Sequence, residues 1–157
     1  MSTETPPTVF IELHCSQFPG MYFSEASSSG VKPEAIYVGL QRGEEVIDLV
    51  RGDAESAIFT ASFHVAKQKD GSPNFLGPFA KGTPRERFFY LSWGVQGPFG
   101  TFRSFRRAKI QLSQLSWERV ETAIRAGTPI RADVTLTDSK GGPVCATLKN
   151  THIRWRE

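Results

Sequence analysis

Thr8-Val-Phe-Ile-Glu-Leu-His-Cys15 alternates with period two. Val9, Ile11, Leu13 and Cys15 fall on one face, and Phe10, Glu12 and His14 on the other. Successive side chains leave a strand on opposite sides, so this pattern predicts a half-buried strand with an apolar inner face and a polar outer one. The period returns over residues 56–68, where Phe59, Ala61, Phe63 and Val65 oppose Ile58, Thr60, Ser62 and His64. It returns again over residues 128–137, with Ile130, Ala132, Val134 and Leu136 inward.

Turn chemistry separates these runs. Phe18-Pro19-Gly20 ends the first strand, and the Ser- and Gly-rich residues 24–33 read as a loop. Arg42-Gly43-Glu44 joins two apolar runs, residues 35–41 and 45–51, as a hairpin. Lys69-Asp70-Gly71-Ser72-Pro73 closes the long strand. Residues 74–79 and 94–104 are apolar but composed of loop residues, and each carries Gly-Pro-Phe, at 77–79 and 97–99. Between them Arg87-Phe-Phe-Tyr-Leu-Ser-Trp93 predicts a strand, and residues 106–112 another. Asp138-Ser-Lys-Gly-Gly142 predicts a hairpin turn, with residues 143–149 returning and residues 151–156 adding a last short strand. One helix is expected, over about 116–126. Ser116 can cap its N-terminus, Glu118 suits its first turn, Gly127 can close it, and Trp117, Val120, Glu121 and Ile124 share a face.

Eight or nine short strands and one helix predict a mainly β, single-domain antiparallel β-sandwich or small β-barrel over residues 8–157, behind a disordered tail at 1–7. The length of 157 residues suits one domain with a core of its own. Hydrophobic residues at 39% and charged residues at 22% exclude wholesale disorder. No apolar run is long enough to span a membrane, and the polar start shows no secretory signal. A cytoplasmic protein is the expectation, with Cys15 and Cys145 as buried, reduced thiols.

Several chemistries lack their residues. No Gly-rich loop precedes a helix to cradle phosphate, and no Gly-x-Ser-x-Gly elbow is present. His14, His64 and His152 stand far apart without metal-ligand spacing, so neither metal nor cofactor is expected. His14 and His64 could meet only if their strands pair so as to bring them together. The net charge of +3 is small, so nucleic acid is not the expected partner, although Arg103, Arg106, Arg107 and Lys109 form a short basic run beside aromatics. On an edge strand that run would also be an ordinary solvated face. An unpaired edge further offers a route to a homodimer.

The unusual feature is aromatic. Of 12 Phe, 3 Tyr and 3 Trp, half lie between residues 74 and 105: Phe75, Phe79, Phe88, Phe89, Tyr90, Trp93, Phe99, Phe102 and Phe105. They either plug the ends of a small barrel or line a pocket for an apolar ligand. On the pocket reading Phe79, Trp93, Phe99, Phe102 and Phe105 are walls, with Asn74 and Arg103 as further ligand contacts. Arg106, Arg107, Tyr90 or His14 would hydrogen-bond a substrate carbonyl. Glu12 beside His14 makes a second polar spot: a solvent-facing pair, or a histidine oriented by a carboxylate for general-base work.

Asn74-Phe-Leu-Gly-Pro-Phe79, Arg87-Phe-Phe-Tyr-Leu91, Arg106-Arg-Ala-Lys109 and Gly141-Gly-Pro-Val-Cys-Ala146 together resemble a family of small bacterial and fungal proteins catalogued as a domain of unknown function, over about residues 74–148. That resemblance brings no agreed activity and no catalytic residue. Fungal relatives look similar to cofactor-free cyclases of terpenoid or polyketide pathways. The expectation is therefore a cofactor-independent cyclase or isomerase, including pericyclases such as Diels–Alderases, that holds an apolar natural-product-like molecule near its reactive shape. The alternatives are a non-catalytic small-molecule carrier and a single-stranded nucleic-acid module.

Overall fold

A computed structural model of the chain describes residues 6–16, 36–51, 56–96, 102–136 and 151–156. Residues 1–5 of the tail expected at 1–7, the Phe18-Pro19-Gly20 break, the loop at 24–33, the turn and return strand at 138–149 with Cys145, and Phe99 lie outside the described residues.

Among the described residues nine strands and one helix follow in order: β1 (Thr8–Ser16), β2 (Ile36–Arg42), β3 (Glu45–Arg51), β4 (Ser56–Lys67), β5 (Pro73–Leu76), β6 (Phe88–Gln96), β7 (Phe102–Gln111), α1 (Trp117–Ala126), β8 (Ile130–Leu136) and β9 (Thr151–Trp155). They form two sheets, β5-β4-β1-β8-β9 and β3-β2-β6-β7. The expected mainly β sandwich with one helix is the observed fold. Two runs read as loop are partly strand. Pro73–Leu76 pairs with β4, and the strands on either side of the second Gly-Pro-Phe extend to Gln96 and from Phe102. Loop-favouring residues yield here to a neighbouring strand edge that satisfies their backbone.

One ladder departs from the antiparallel expectation. β1 pairs β4 antiparallel, Thr8 opposite His64 through Ser16 opposite Ser56, but it pairs β8 in parallel, Ile11 opposite Ile130 through Ser16 opposite Thr135. A parallel neighbour requires a connection that crosses over rather than a tight hairpin. The chain crosses from the β7 sheet to the β8 side through α1. Ser116 Oγ accepts from the Arg119 N–H at 3.2 Å, and Gly127 closes the helix in the left-handed conformation at φ 68°. Val120 and Ala123 are buried, with Trp117 and Ile124 packed partly against the core. Glu121, the polar member of the expected stripe, accepts a hydrogen bond from Trp117 Nε1 at 3.2 Å.

The inner faces meet in one core. Val9, Ile11, Leu13 and Cys15 of β1 are buried with Phe59, Ala61, Phe63 and Val65 of β4 and with Ile130, Ala132 and Val134 of β8. Across from them lie Val38, Leu40, Phe89, Leu91, Ala108 and Ile110 of the second sheet. Phe63 is the contact that joins the layers. Its ring lies 5.7 Å from Phe75, 6.0 Å from Phe79 and 5.3 Å from Phe89. The outer side of the second sheet is partly closed by its own edge. β3 breaks register against β2 between Val38 and Leu40, and Asp48 takes a positive φ of 55°. This bulge leaves Gly39 no room for a side chain: a Cβ there would lie 2.5 Å from the Ile47 carbonyl oxygen. Beneath it Ser92 Oγ donates to Gln41 Oε1 at 3.1 Å, which satisfies two buried polar groups.

Phe63→Ala should lower unfolding free energy by about 3–5 kcal/mol, since it leaves a cavity at the layer junction. Gly39→Ala, one carbon larger, should cost about 1–3 kcal/mol through overpacking. Guanidinium denaturation of the two variants checks both values.

Candidate functional site

β1 places Phe10, Glu12 and His14 on the outer face of its sheet, as the alternation predicts. Its two neighbours decide what stands beside them. Glu12 is opposite Thr60 on β4 and Arg131 on β8, and His14 is opposite Ile58 and Asp133. Asp133 is in turn opposite Arg154 on β9. Row by row, the sheet assembles Glu12, His14, Arg131, Asp133 and Arg154, with Arg156 at the strand end.

His14 Nε2 lies 2.5 Å from Glu12 Oε1, and Arg131 Nε approaches the same oxygen at 3.2 Å. An ionised carboxylate can only accept, so His14 donates through Nε2 and the neutral ring carries its bare lone pair on Nδ1. Nδ1 has no hydrogen-bond partner among the described residues. Both side chains are half-buried, at 26% exposure for His14 and 21% for Glu12. The hydrogen bond from His14, with Arg131 adding its charge, holds the Glu12 carboxyl below its ordinary range against a smaller opposing effect of desolvation. Arg156 grips Asp133 with a fork, Nε to Oδ2 at 3.0 Å and Nη2 to Oδ1, and this pairing lowers the Asp133 carboxyl likewise. Arg156 is fixed from behind, its N–H donating to the Arg131 carbonyl at 2.8 Å and its own carbonyl accepting from Arg119 of the helix at 3.2 Å. Two large apolar side chains flank the charges: Phe10 is 49% exposed and Ile58 61%. A shallow depression bounded by Asp133, Arg154, Trp155 and Arg156 opens beside them.

The other expected residues go elsewhere. Tyr90 and Arg107 stand on the outer face of the second sheet, with the guanidinium 5.4 Å from the ring centroid, and Lys109 sits 4.2 Å over Phe88. The two sheets are back to back, so their outer faces point apart. The set His14, Tyr90 and Arg107 is therefore not one site. β7 is the edge of its sheet, and exposed Arg107 and Lys109 form the solvated face of that edge. Arg106 takes a register position opposite Trp93, Arg103 opposite Val95 and Phe102 opposite Gln96; Phe105 lies at the bulge between.

Phe79 does not line either cleft. The first Gly-Pro-Phe turn is tied to the β2–β3 hairpin by the Gly43 N–H on the Pro78 carbonyl at 2.8 Å, and it drops Phe79 into the core. Together with Phe75 and Phe89 it plugs the interior. Asn74 is a brace: its Oδ1 accepts from Arg87 Nε at 3.0 Å, and Arg87 also donates to the Gly82 carbonyl. The cleft beside them, bounded by Ser72, Phe75, Arg87 and Leu112 among others, holds about 40 Å³. That is room for water, not for a small-molecule substrate. His64 contacts Thr8 Oγ1 at 3.3 Å, six residues along β1 from His14, or about 20 Å. The two histidines do not meet.

The chain belongs to the family of unknown function DUF5990. Its family model matches residues 9–157, nearly the whole chain rather than the half that carries the sequence resemblance. No curated protein and no solved structure matches the chain. No helix among the described residues is long and apolar enough to cross a membrane.

Arg131, Asp133, Arg154 and Arg156 were not signalled as site residues by the sequence. The period of β8 predicts that Arg131 and Asp133 face outward. What it lacks is the parallel pairing that sets them against Glu12 and His14.

Two predictions follow from this geometry. Glu12 and Asp133, both lowered, contribute stability that is complete above their ordinary values, 4.5 and 3.8, and lost as pH falls through the lowered ones. Replacing them (Glu12→Gln with Asp133→Asn) should therefore shrink the fall in denaturation midpoint between about pH 6 and about pH 3. Burial pushes the Cys15 thiol up to about 12. It should resist alkylation in the native protein and react on unfolding, as peptide mass mapping would show.

Proposed function

We propose that the chain is a cofactor-independent acid–base catalyst, an isomerase or cyclase of a small, partly apolar molecule in the cytoplasm. The observation that carries this reading is the Glu12–His14 pair: a histidine whose Nε2 proton is engaged by a carboxylate and whose Nδ1 is left to act. A carboxylate partner fixes the tautomer and stabilises the imidazolium that forms when Nδ1 takes a proton. In the step it suits, Nδ1 removes a proton from a carbon beside a carbonyl. The C–H bond breaks, an N–H bond forms, and the electron pair moves into the enolate. Return of that proton to another carbon completes an isomerisation with no change in oxidation state. Attack by the enolate carbon on an internal carbonyl carbon instead closes a ring: the C–C bond forms as the carbonyl π bond opens, and the alkoxide takes the proton back from His14. His14 is the catalytic residue; Glu12 positions it, and Arg131 positions Glu12.

Phe10 and Ile58 support an apolar body for the substrate, and the adjacent arginines support a polar end. The openness of this face favours a second reading, a non-catalytic carrier using the same surface.

A panel of apolar oxo acids incubated with the protein in deuterium oxide separates the two. Mass spectrometry should find deuterium at the carbon beside the carbonyl of one or more compounds. His14→Gln should abolish that exchange, and Glu12→Gln should slow it by about 10²-fold or more. Binding with every compound recovered unlabelled would establish the carrier instead.

A further inference from the structure

We propose that the outer face of the β6–β7 hairpin is a docking surface for single-stranded nucleic acid. This goes beyond the reading of His14, which stands on the outer face of the other sheet.

The first observation is how charge is distributed along the chain. From Arg87 to Trp117 no Asp or Glu occurs, while Arg87, Arg103, Arg106, Arg107 and Lys109 are all cationic. The net charge of the whole chain is only +3, so the remainder holds a small excess of acid. A modest total thus conceals a segregated one, and a segment of one sign favours an anionic partner. The carboxylates carried by the strands of this sheet, Glu45 and Asp48, both belong to β3 at the opposite edge. That edge is three strands, or about 14 Å along the sheet, from β7. Glu45 is also engaged by Arg42 at 3.5 Å.

The second is the manner in which the cations are held. Arg107 stands opposite Ser92 and Lys109 opposite Tyr90, yet each leans towards the neighbouring ring. The Arg107 guanidinium lies 5.4 Å from the Tyr90 ring centroid, and the Lys109 ammonium 4.2 Å from that of Phe88. The two rings meet edge-on at 5.2 Å. The cations are exposed and the rings half-buried, so ring and cation alternate along one open surface. Each nucleotide brings a flat base and a phosphate. This row presents both complements: rings and a planar guanidinium for bases, positive charge for phosphates. An acidic polypeptide would use the cations and leave the rings idle. Rings that prop the long side chains also spare part of the cost of ordering them.

The third is spacing. Outward residues two apart on a strand are separated by about 6.8 Å, close to the separation of adjacent phosphates on one nucleic-acid strand. A single strand can lay its bases on such a row, whereas a duplex keeps its bases stacked inside.

Fluorescence anisotropy of a labelled oligothymidylate of about twelve nucleotides, titrated with the full chain at several salt concentrations, tests this. The oligonucleotide should bind at about 50 mM salt, with log K falling linearly in log salt. Arg107→Gln and Lys109→Gln should each weaken binding and flatten that slope by about 0.7. Tyr90→Leu should weaken binding about tenfold or more with the slope unchanged, because it removes a stacking ring and no phosphate contact. Circular dichroism shows whether each variant is folded; the two cation variants alter exposed side chains and carry the test should Tyr90→Leu unfold. No binding at about 50 mM salt, or an unchanged slope in both cation variants, overturns the proposal. Equal binding of polyglutamate, or full affinity in folded Tyr90→Leu, overturns the nucleic-acid assignment in favour of an acidic polypeptide. Equal affinity for a duplex overturns the preference for a single strand.

Discussion

The ring of Phe63 sits where the two sheets and the first Gly-Pro-Phe turn come together, and the rest of the molecule is arranged around that contact. Its three aromatic neighbours come from β5, from the turn after it and from β6. The contacts with Phe75 and Phe89 are edge-to-face and that with Phe79 is tilted; aromatic pairs of this kind contribute about 0.5–1.5 kcal/mol each beyond area burial, and they are directional. They fix how the layers stack and where the turn docks. Because those rings fill the interior, chemistry among the described residues is left to the outer faces.

β1 serves both sides of that division. Its inner residues enter the core and its outer ones carry the base and its carboxylate, two residues apart. A central strand held on both edges is a stiff platform, and stiffness suits an acid–base pair that must keep its geometry. The parallel partner β8 supplies Arg131 and Asp133 at the same heights, and β9 adds the arginines beyond. Each contributor is set by ladder register, so a slip of one residue in β8 would turn both side chains into the core.

Much of this was legible in the sequence. The alternation in β1, β4 and β8, the Arg42-Gly43-Glu44 hairpin and the Ser116-to-Gly127 helix each rest on local chemistry, and each appears with its boundaries nearly as read. Glu12 beside His14 was legible for the same reason, since two residues on one strand face share their surroundings. The site as a whole was not. Which strands become neighbours is decided by long-range packing, and no local pattern in residues 130–136 specifies a parallel partner more than a hundred positions earlier. The aromatic segment was ambiguous for a related reason. Phe in a loop-like context fits a plug or a pocket equally, and only the docking of the turn on the β2–β3 hairpin places Phe79 inside.

The parallel pairing of β1 with β8 also shapes how the molecule comes into being. β1 spans residues 8–16, and its partner begins at residue 130. The central sheet cannot be completed until most of the chain has been synthesised, and closing so long a loop places the protein among the slower-folding topologies. Until then one edge of a strand with a fully apolar inner face stands open, able to pair with the wrong chain. Glu12 and His14 stand on the outer face of that same strand, so the polar groups that equip the finished face also keep the waiting strand in solution.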